Sequence, residues 1–420
     1  MAGPVFAIKT HVLAGQHIRH FERANRHENE DVQRLQVKQY IPLNNQQPKD
    51  DDVTIIGTCA VSFPKEVYEP MWEALISEAQ NRGVGVRSIW TVDRSDHAAS
   101  AVLNEDVQGD DPSAFDLSRD ILHMVNTFRD DFITPVIGFG HSLGATSLLE
   151  LSRMHPRFFA ALILVDPIVG PEIFKIGVPL IYGASQRPDL WPSQEAAKQF
   201  FTKSKAMKRW HPKALDAFLE FGLRKTPTRL YSEPGKVTLS TTVANESFSY
   251  SRPLFEPDHV GTDRGLAKYP DVGHELRMFE GHPFYRSEAS VTWNDLPQLR
   301  PSVLYIFPQF GPFGAPKTRE GFMHRTGSGE GGSGGSKMGR VSSRVLKGES
   351  HFAPVEAPEL CAQAVLEFLE TALPSWRKRR VLAREDADGK SVDMLALSDT
   401  WKKNTKQWFD KHYAKGKPKL

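Results

Sequence analysis

One segment constrains this chain more than any other: Val136-Ile137-Gly138-Phe139-Gly140-His141-Ser142-Leu143-Gly144. A short apolar run of strand character ends in G-x-S-x-G. A helix-type stretch from Ala145 to Met154 follows at once and is stopped by Pro156. A chain that passes from strand to helix within so few residues must turn sharply at Ser142. Glycines at 140 and 144 remove the Cβ clashes that such a turn would create. Ser142 is therefore the candidate nucleophile, and His141 beside it is read as a packing residue.

The surrounding pattern supplies the sheet that this turn requires. Val53-Thr54-Ile55-Ile56-Gly57 is a short β-branched run that reads as a buried strand, Val86 to Val92 reads as the next strand, and Ala161 to Val165 is a further continuous apolar run, as expected of a sheet covered on both faces. Helix-type spacing separates them at Tyr68 to Gln80. A second helix is expected to open with Asp111 as N-cap and Pro112 at its first position. Its apolar face is formed by Ile121, Leu122, Val125, Phe128 and Phe132. Strands alternating with helices predict an α/β fold with a mostly parallel, doubly wound sheet. The alternation fails over residues 170–295, where helical, aromatic-rich segments mix with Pro-rich loops, as expected of a helical lid. Strand character returns at Ser302 to Phe307 and near Arg340 to Leu346, and a helix from Pro358 to Ala372 closes the core. The expected organisation is core at 1–169, lid at 170–295, core at 296–372 and a basic tail at 373–420.

A serine hydroxyl needs a base to take its proton. That base belongs on a loop after the last strand, where Gly348-Glu349-Ser350-His351 stands. His351 is preferred on this ground to His274, His282 and His324. The acid that orients such a histidine usually follows the preceding strand, yet Pro308 to Gly314 holds no carboxylate. Asp166, ending the run 161–165, is taken as the acid, with Glu320 or no acid as the alternatives. For the oxyanion hole the Leu143 N–H is one donor, and the other is expected from the small residues Cys59 and Ala60 after the Val53 strand.

Composition narrows what else the chain can be. The 420 residues carry 53 Lys/Arg against 51 Asp/Glu, so no overall basic field marks a nucleic-acid binder. Charge is nevertheless uneven, with 13 Lys/Arg and 6 Asp/Glu from Leu373 onward. Two cysteines are too few for a disulfide framework and suit a reducing compartment. No apolar run is long enough to span a bilayer, and residues 1–30 lack a secretory h-region. Thr326 to Ser336 contains a formal G-x-G-x-x-G without the strand it would need, and is read as a mobile surface loop. Neither a metal nor a cofactor is expected.

These residues resemble the α/β-hydrolase superfamily, and within it the fungal peroxisomal lipase-like hydrolases that include host-selective toxin biosynthesis esterases. The resemblance spans roughly residues 16–372. It is carried by Ser62-Phe63-Pro64-Lys65-Glu66, Gly140-His141-Ser142-Leu143-Gly144, Leu299 to Tyr305, the Gly-rich loop, and His351 before Glu356-Ala357-Pro358-Glu359. Gly57-Thr58-Cys59-Ala60 departs from the His-Gly type of oxyanion segment. The resemblance implies hydrolysis of an apolar acyl ester or thioester through an acyl-enzyme. Acyl transfer, C–C hydrolysis on the same residues, or a non-catalytic binding module of this fold are the alternatives. It also implies peroxisomal lipid or secondary metabolism. Pro418-Lys419-Leu420 fits that expectation as a variant of the Ser-Lys-Leu address read by the import receptor.

Overall fold

Strand β3 (Val53–Thr58) is buried along its whole length and lies between two parallel neighbours, β4 (Val86–Val92) and β5 (Val136–His141). Its β-branched residues fill both faces, which is why it reads as a continuous apolar run rather than an alternating one. The computed structural model describes residues 4–27, 30–170, 174–272, 282–388 and 393–413. It comprises two compact units, Met1–Ala372 and Leu373–Leu420.

The first unit is built on an eight-stranded sheet. With β1 (Phe6–Ala14), β2 (Arg34–Pro42), β6 (Phe159–Val165), β7 (Ser302–Phe310) and β8 (Val341–Ser350), the strand order is β1-β2-β4-β3-β5-β6-β7-β8. From β4 to β8 all neighbours are parallel, whereas β1 and β2 join antiparallel at one edge. Helices α1 (Glu69–Ala79), α2 (Ala114–Thr127) and α3 (Leu143–Met154) provide crossovers, and α4 begins at Pro358. One apolar cluster joins Ile56, Trp90, Val136, Leu148, Leu162, Val303 and Phe307 through the sheet. Register places the carboxyl ends side by side: Thr58 faces Gly140, His141 faces Val165, and Val165 faces Ile306. Open parallel sheets present their ligand crevice at this end.

Four expectations are corrected here. The edge strands β1 and β2 were not anticipated. Helix α2 opens two residues late, because Ser113 caps it by accepting the Phe115 N–H at 3.1 Å. Asp111 instead accepts two hydrogen bonds from Arg252, each 2.7 Å. The closing helix continues from Pro358 to Asp388 through Pro374, since the Arg, Lys and Leu residues beyond favour helix strongly enough to offset one missing hydrogen bond. The Gly-rich loop is tied down. Gly327, Gly329 and Ser333 donate their N–H groups to the carbonyls of Leu296, Pro297 and Leu299 at 2.8–2.9 Å. A Cβ on Gly332 would lie 2.3 Å from the Pro297 oxygen, so this approach requires glycine.

Between β6 and β7 the described residues form helices, short strands and loops. The helices include Gln194–Lys203, Pro212–Phe221, Val243–Tyr250 and Ser287–Asp295. A small sheet pairs Leu190–Trp191 and Leu223–Lys225 with Val237–Leu239. Arg252 anchors this segment to the core by stacking over Phe21, 3.6 Å from the ring centre, besides binding Asp111. In the second unit, Ser398 caps the helix Asp399–His412 by accepting the Trp401 N–H.

Candidate active site

At the junction of β5 and α3, Ser142 adopts φ 58° and ψ −124°, a conformation that side-chain-bearing residues rarely hold. The surroundings enforce it. Its N–H donates to the Val165 oxygen at 2.9 Å, and its carbonyl accepts from Ala145 at 3.1 Å. A Cβ on Gly140 would stand 2.5 Å from Ala145 Cα, and one on Gly144 would stand 2.6 Å from the Cys59 oxygen. Both flanking glycines are therefore steric necessities.

Ser142 Oγ lies 3.0 Å from His351 Nε2, and His351 Nδ1 lies 2.6 Å from Asp166 Oδ2. A carboxylate only accepts, so Nδ1 carries the proton. Nε2 is left to accept from the serine hydroxyl. The three residues picked from sequence thus meet, although 185 and 209 positions separate His351 from its two partners. Asp166 is fully buried, with its own N–H bonded to Ile306 O at 3.0 Å. The loop after β7, which lacks a carboxylate, packs against it instead. Phe313 N–H donates to Asp166 Oδ1 at 3.4 Å, and a Cβ on Gly311 would lie 2.2 Å from Oδ2. Glu320 and His324 are exposed on the helix Pro316–Arg325, and His282 bonds the Phe284 oxygen. His274 lies outside the described residues, as do Pro418, Lys419 and Leu420.

Two further residues belong to the site that sequence reasoning did not place there. His141 is buried between Tyr68 Oη, 2.8 Å from Nδ1, and the His351 carbonyl, 2.8 Å from Nε2. The carbonyl can only accept, so Nε2 donates and Nδ1 accepts the Tyr68 hydroxyl proton. Tyr68 Oη in turn accepts the Ala60 N–H at 2.9 Å. This chain needs a neutral imidazole. Burial, reinforced by the neighbouring His351, holds the His141 pKa well below its ordinary value. It also corrects the oxyanion expectation, because an Ala60 N–H committed to Tyr68 is not open to a substrate oxygen. Cys59 is buried, and burial pushes its thiol well above the usual range, so it is a filler rather than a nucleophile. Val61, the next residue, lines the cavity with Ser142 and Leu143, and its N–H has no partner among the described residues.

The loop holding Ala60 and Val61 is braced by Lys65, whose buried ammonium contacts Asp93 at 2.6 Å, Gln36 at 2.9 Å and Glu66 at 3.1 Å. The cavity over Ser142 measures about 210 Å³ and includes Leu143, Ile168, Leu180, Tyr250, Pro312 and Phe352. A larger one of about 540 Å³, rich in aromatic side chains, shares Val61, Tyr250 and Phe352 with it. Among the described residues no three His, Cys, Asp or Glu side chains are placed to hold a metal. No helix among them is long and apolar enough to cross a membrane.

A parallel sheet with a strained serine between strand and helix, and a histidine and a buried carboxylate at the same edge, defines an α/β hydrolase. The chain belongs to that family. The model described as "Alpha/beta hydrolase family" matches residues 62–365. It is 33% identical, over 96% of both chains, to the type I acyl-CoA thioesterase mpaH' of Penicillium brevicompactum. It is 26% identical to the abhydrolase domain-containing protein ACTT2-1 of Alternaria alternata, over 56% of this chain and 83% of that one. Among solved structures, the peroxisomal alpha-beta-hydrolase Lpx1 of Saccharomyces cerevisiae superposes with a TM-score of 0.68 over 98% of both chains, at 13% identity. The resemblance read in the sequence is borne out, and the protein is a hydrolase.

Proposed function

We propose that the protein hydrolyses an acyl thioester through a serine acyl-enzyme. The observation that carries this reading is the Ser142–His351–Asp166 geometry. The thioester, rather than an oxygen ester, is favoured by the similarity to mpaH' along nearly the whole chain. Ser142 Oγ attacks the acyl carbon while His351 Nε2 takes its proton. Asp166, as a fixed acceptor on Nδ1, holds the tautomer and favours the imidazolium that forms. The N–H groups of Leu143 and Val61 face the oxyanion of the tetrahedral intermediate. Collapse expels the thiol with the proton from His351. Water, activated by the same imidazole, then releases the acid and frees the serine.

His141 and Tyr68 act at one remove, fixing the backbone of the base loop and of the oxyanion loop relative to each other. Because Ser142 and His351 act as a unit, Ser142→Ala and His351→Ala are each expected to lower kcat by about 10⁴- to 10⁶-fold, with the double variant little worse. The measurement is thioester hydrolysis together with fluorophosphonate labelling, which Ser142→Ala abolishes. Losses that multiply in the double variant would show that the two residues do not work together. Faster turnover of oxygen esters than of thioesters of the same acid would remove the thioesterase assignment while leaving the serine mechanism standing.

A further inference from the structure

We infer that the thiol leaving group occupies the larger of the two cavities, and that Lys203, Lys205 and Lys208 at its rim bind the phosphates of a coenzyme A tail. The inference rests on the thioesterase reading and adds the direction in which the substrate lies. The two cavities share Val61, Tyr250 and Phe352, so a carbonyl held at Ser142 has one arm available to each. Their charged groups differ. Among the described residues lining the smaller cavity the one arginine or lysine is Arg286, whose guanidinium is already bonded to Glu288 at 2.7 Å and to the Phe248 carbonyl. The remainder is mostly apolar, with Leu143, Ile168, Leu180 and Pro312, which suits an acyl group.

The larger cavity has an aromatic interior formed by Phe63, Phe200, Phe201, Trp210 and Phe218, and a basic edge. Lys203 lines it directly. Lys205 and Lys208 stand on the same turn, whose Ser204, Ala206 and Met207 also line it. All three lysines are exposed, and none forms an ion pair among the described residues. Their neighbours do: Arg209 contacts Glu349 and Glu356, and Lys213 contacts Glu73 at 2.6 Å. Glu349, Glu356 and Glu73 are thus engaged by Arg209 and Lys213. The carboxylate inside the cavity, Glu246, is bound by Arg187 and by the Tyr250 hydroxyl. What remains is a largely apolar cavity with one unpaired ammonium group in its lining and two more on the turn that borders it. A molecule with an extended uncharged arm and a phosphate-rich end matches that layout. Lysine serves such phosphates as a point charge, without the planar pairing that arginine demands.

The test compares a coenzyme A thioester with the N-acetylcysteamine thioester of the same acid, which lacks the phosphates. In the triple variant Lys203→Glu/Lys205→Glu/Lys208→Glu, the ratio of kcat/KM for the long thioester to that for the short one is expected to fall at least tenfold. The fall should sit mainly in KM and shrink as salt is raised. Lys337→Glu, an exposed charge reversal elsewhere, should leave the ratio as it was. Free coenzyme A should inhibit hydrolysis of the short thioester more strongly than pantetheine does, and the triple variant should remove that difference. A wild-type enzyme that hydrolyses both thioesters, with a ratio the triple variant does not move, overturns this assignment and leaves the thioesterase reading intact. A wild-type enzyme inactive on both overturns the two together.

Discussion

A Cβ at position 311 would fall 2.2 Å from Asp166 Oδ2, and a carboxylate already bonded to His351 has little freedom to turn away. Gly311→Ala therefore has to move Asp166 or the loop that carries residue 311. Misplacing an orienting group by about 1 Å can cost on the order of a hundredfold in rate. We expect kcat to fall by about that factor, with KM nearly unchanged because residue 311 does not line either cavity. Steady-state kinetics on a short thioester checks it. A kcat within twofold of the parent would mean that Asp166 tolerates displacement and does not orient the base. Neighbouring residues divide sharply in what a local reading can find. Ser142 is legible because its constraint is written within five positions. Ala60 is not, since the hydroxyl that claims its N–H belongs to Tyr68 and is set by folding of the following turn.

Among the elements, the loop between β3 and α1 depends on a side chain from the turn near its own end. Lys65 is fully buried and its ammonium meets Asp93 at the end of β4. Removing one partner of a buried pair leaves the other charge unmatched, at a cost of about 3–5 kcal/mol. Lys65→Met is expected to destabilise the chain by that amount and to lower kcat through Val61, which sits on the same loop. Urea unfolding gives the first figure, and a loss below about 1 kcal/mol would show that Asp93 is compensated by other groups. The elements also show why some were readable. Strands β3, β5 and β6 are buried on both faces and appear as unbroken apolar runs. β1 and β2 lie at the sheet edge, and β2 alternates buried Leu35, Val37 and Gln39 with partly exposed Gln36 and Lys38. That shorter apolar signal, interrupted by charge, did not stand out from loop. The start of α2 was misplaced for another reason. Asp111 is a good cap by type, but Arg252, 141 positions away, binds it in the folded chain. Asp166 was readable as a strand end, whereas its bond to His351 depends on the alignment of β6 with β7.

For the whole molecule, these buried groups set how stability follows pH. His141 is held neutral in the fold, its pKa lowered chiefly by burial, while in the unfolded chain it titrates near 6.5. Just below that value the unfolded chain binds more protons than the native one. The part of the stability that His141 carries is therefore fully present above pH 6.5 and declines as pH falls. Asp116, raised by burial to about 6, acts in the opposite sense, since the native chain takes up its proton first. Asp93, also raised by burial, does the same. The two carboxyls together therefore offset the histidine between pH 7 and 6 and outweigh it below, so stability should change little over that interval and rise gently toward pH 5. Urea midpoints across pH 5–8 measure this, and His141→Gln, whose amide can still donate to the His351 carbonyl, should remove the offset, so that stability rises more steeply as pH falls from 7 to 6. An unchanged slope in that variant would assign the proton uptake to another histidine.

The contact between residues 166 and 311 also bears on descent. A hydrolase that carries its acid after the strand before the histidine loop and one built like this protein cannot interconvert by a single gain. A carboxylate arriving at 311 would enter the volume that Asp166 already fills. The older acid would have to leave first, and the lineage would pass through a form whose histidine had no partner. Such a form keeps only the part of catalysis supplied by binding and the oxyanion site, about 10³- to 10⁴-fold over water. A glycine at this position is thus a marker of which route a lineage took, readable in relatives too divergent for their acids to be aligned directly.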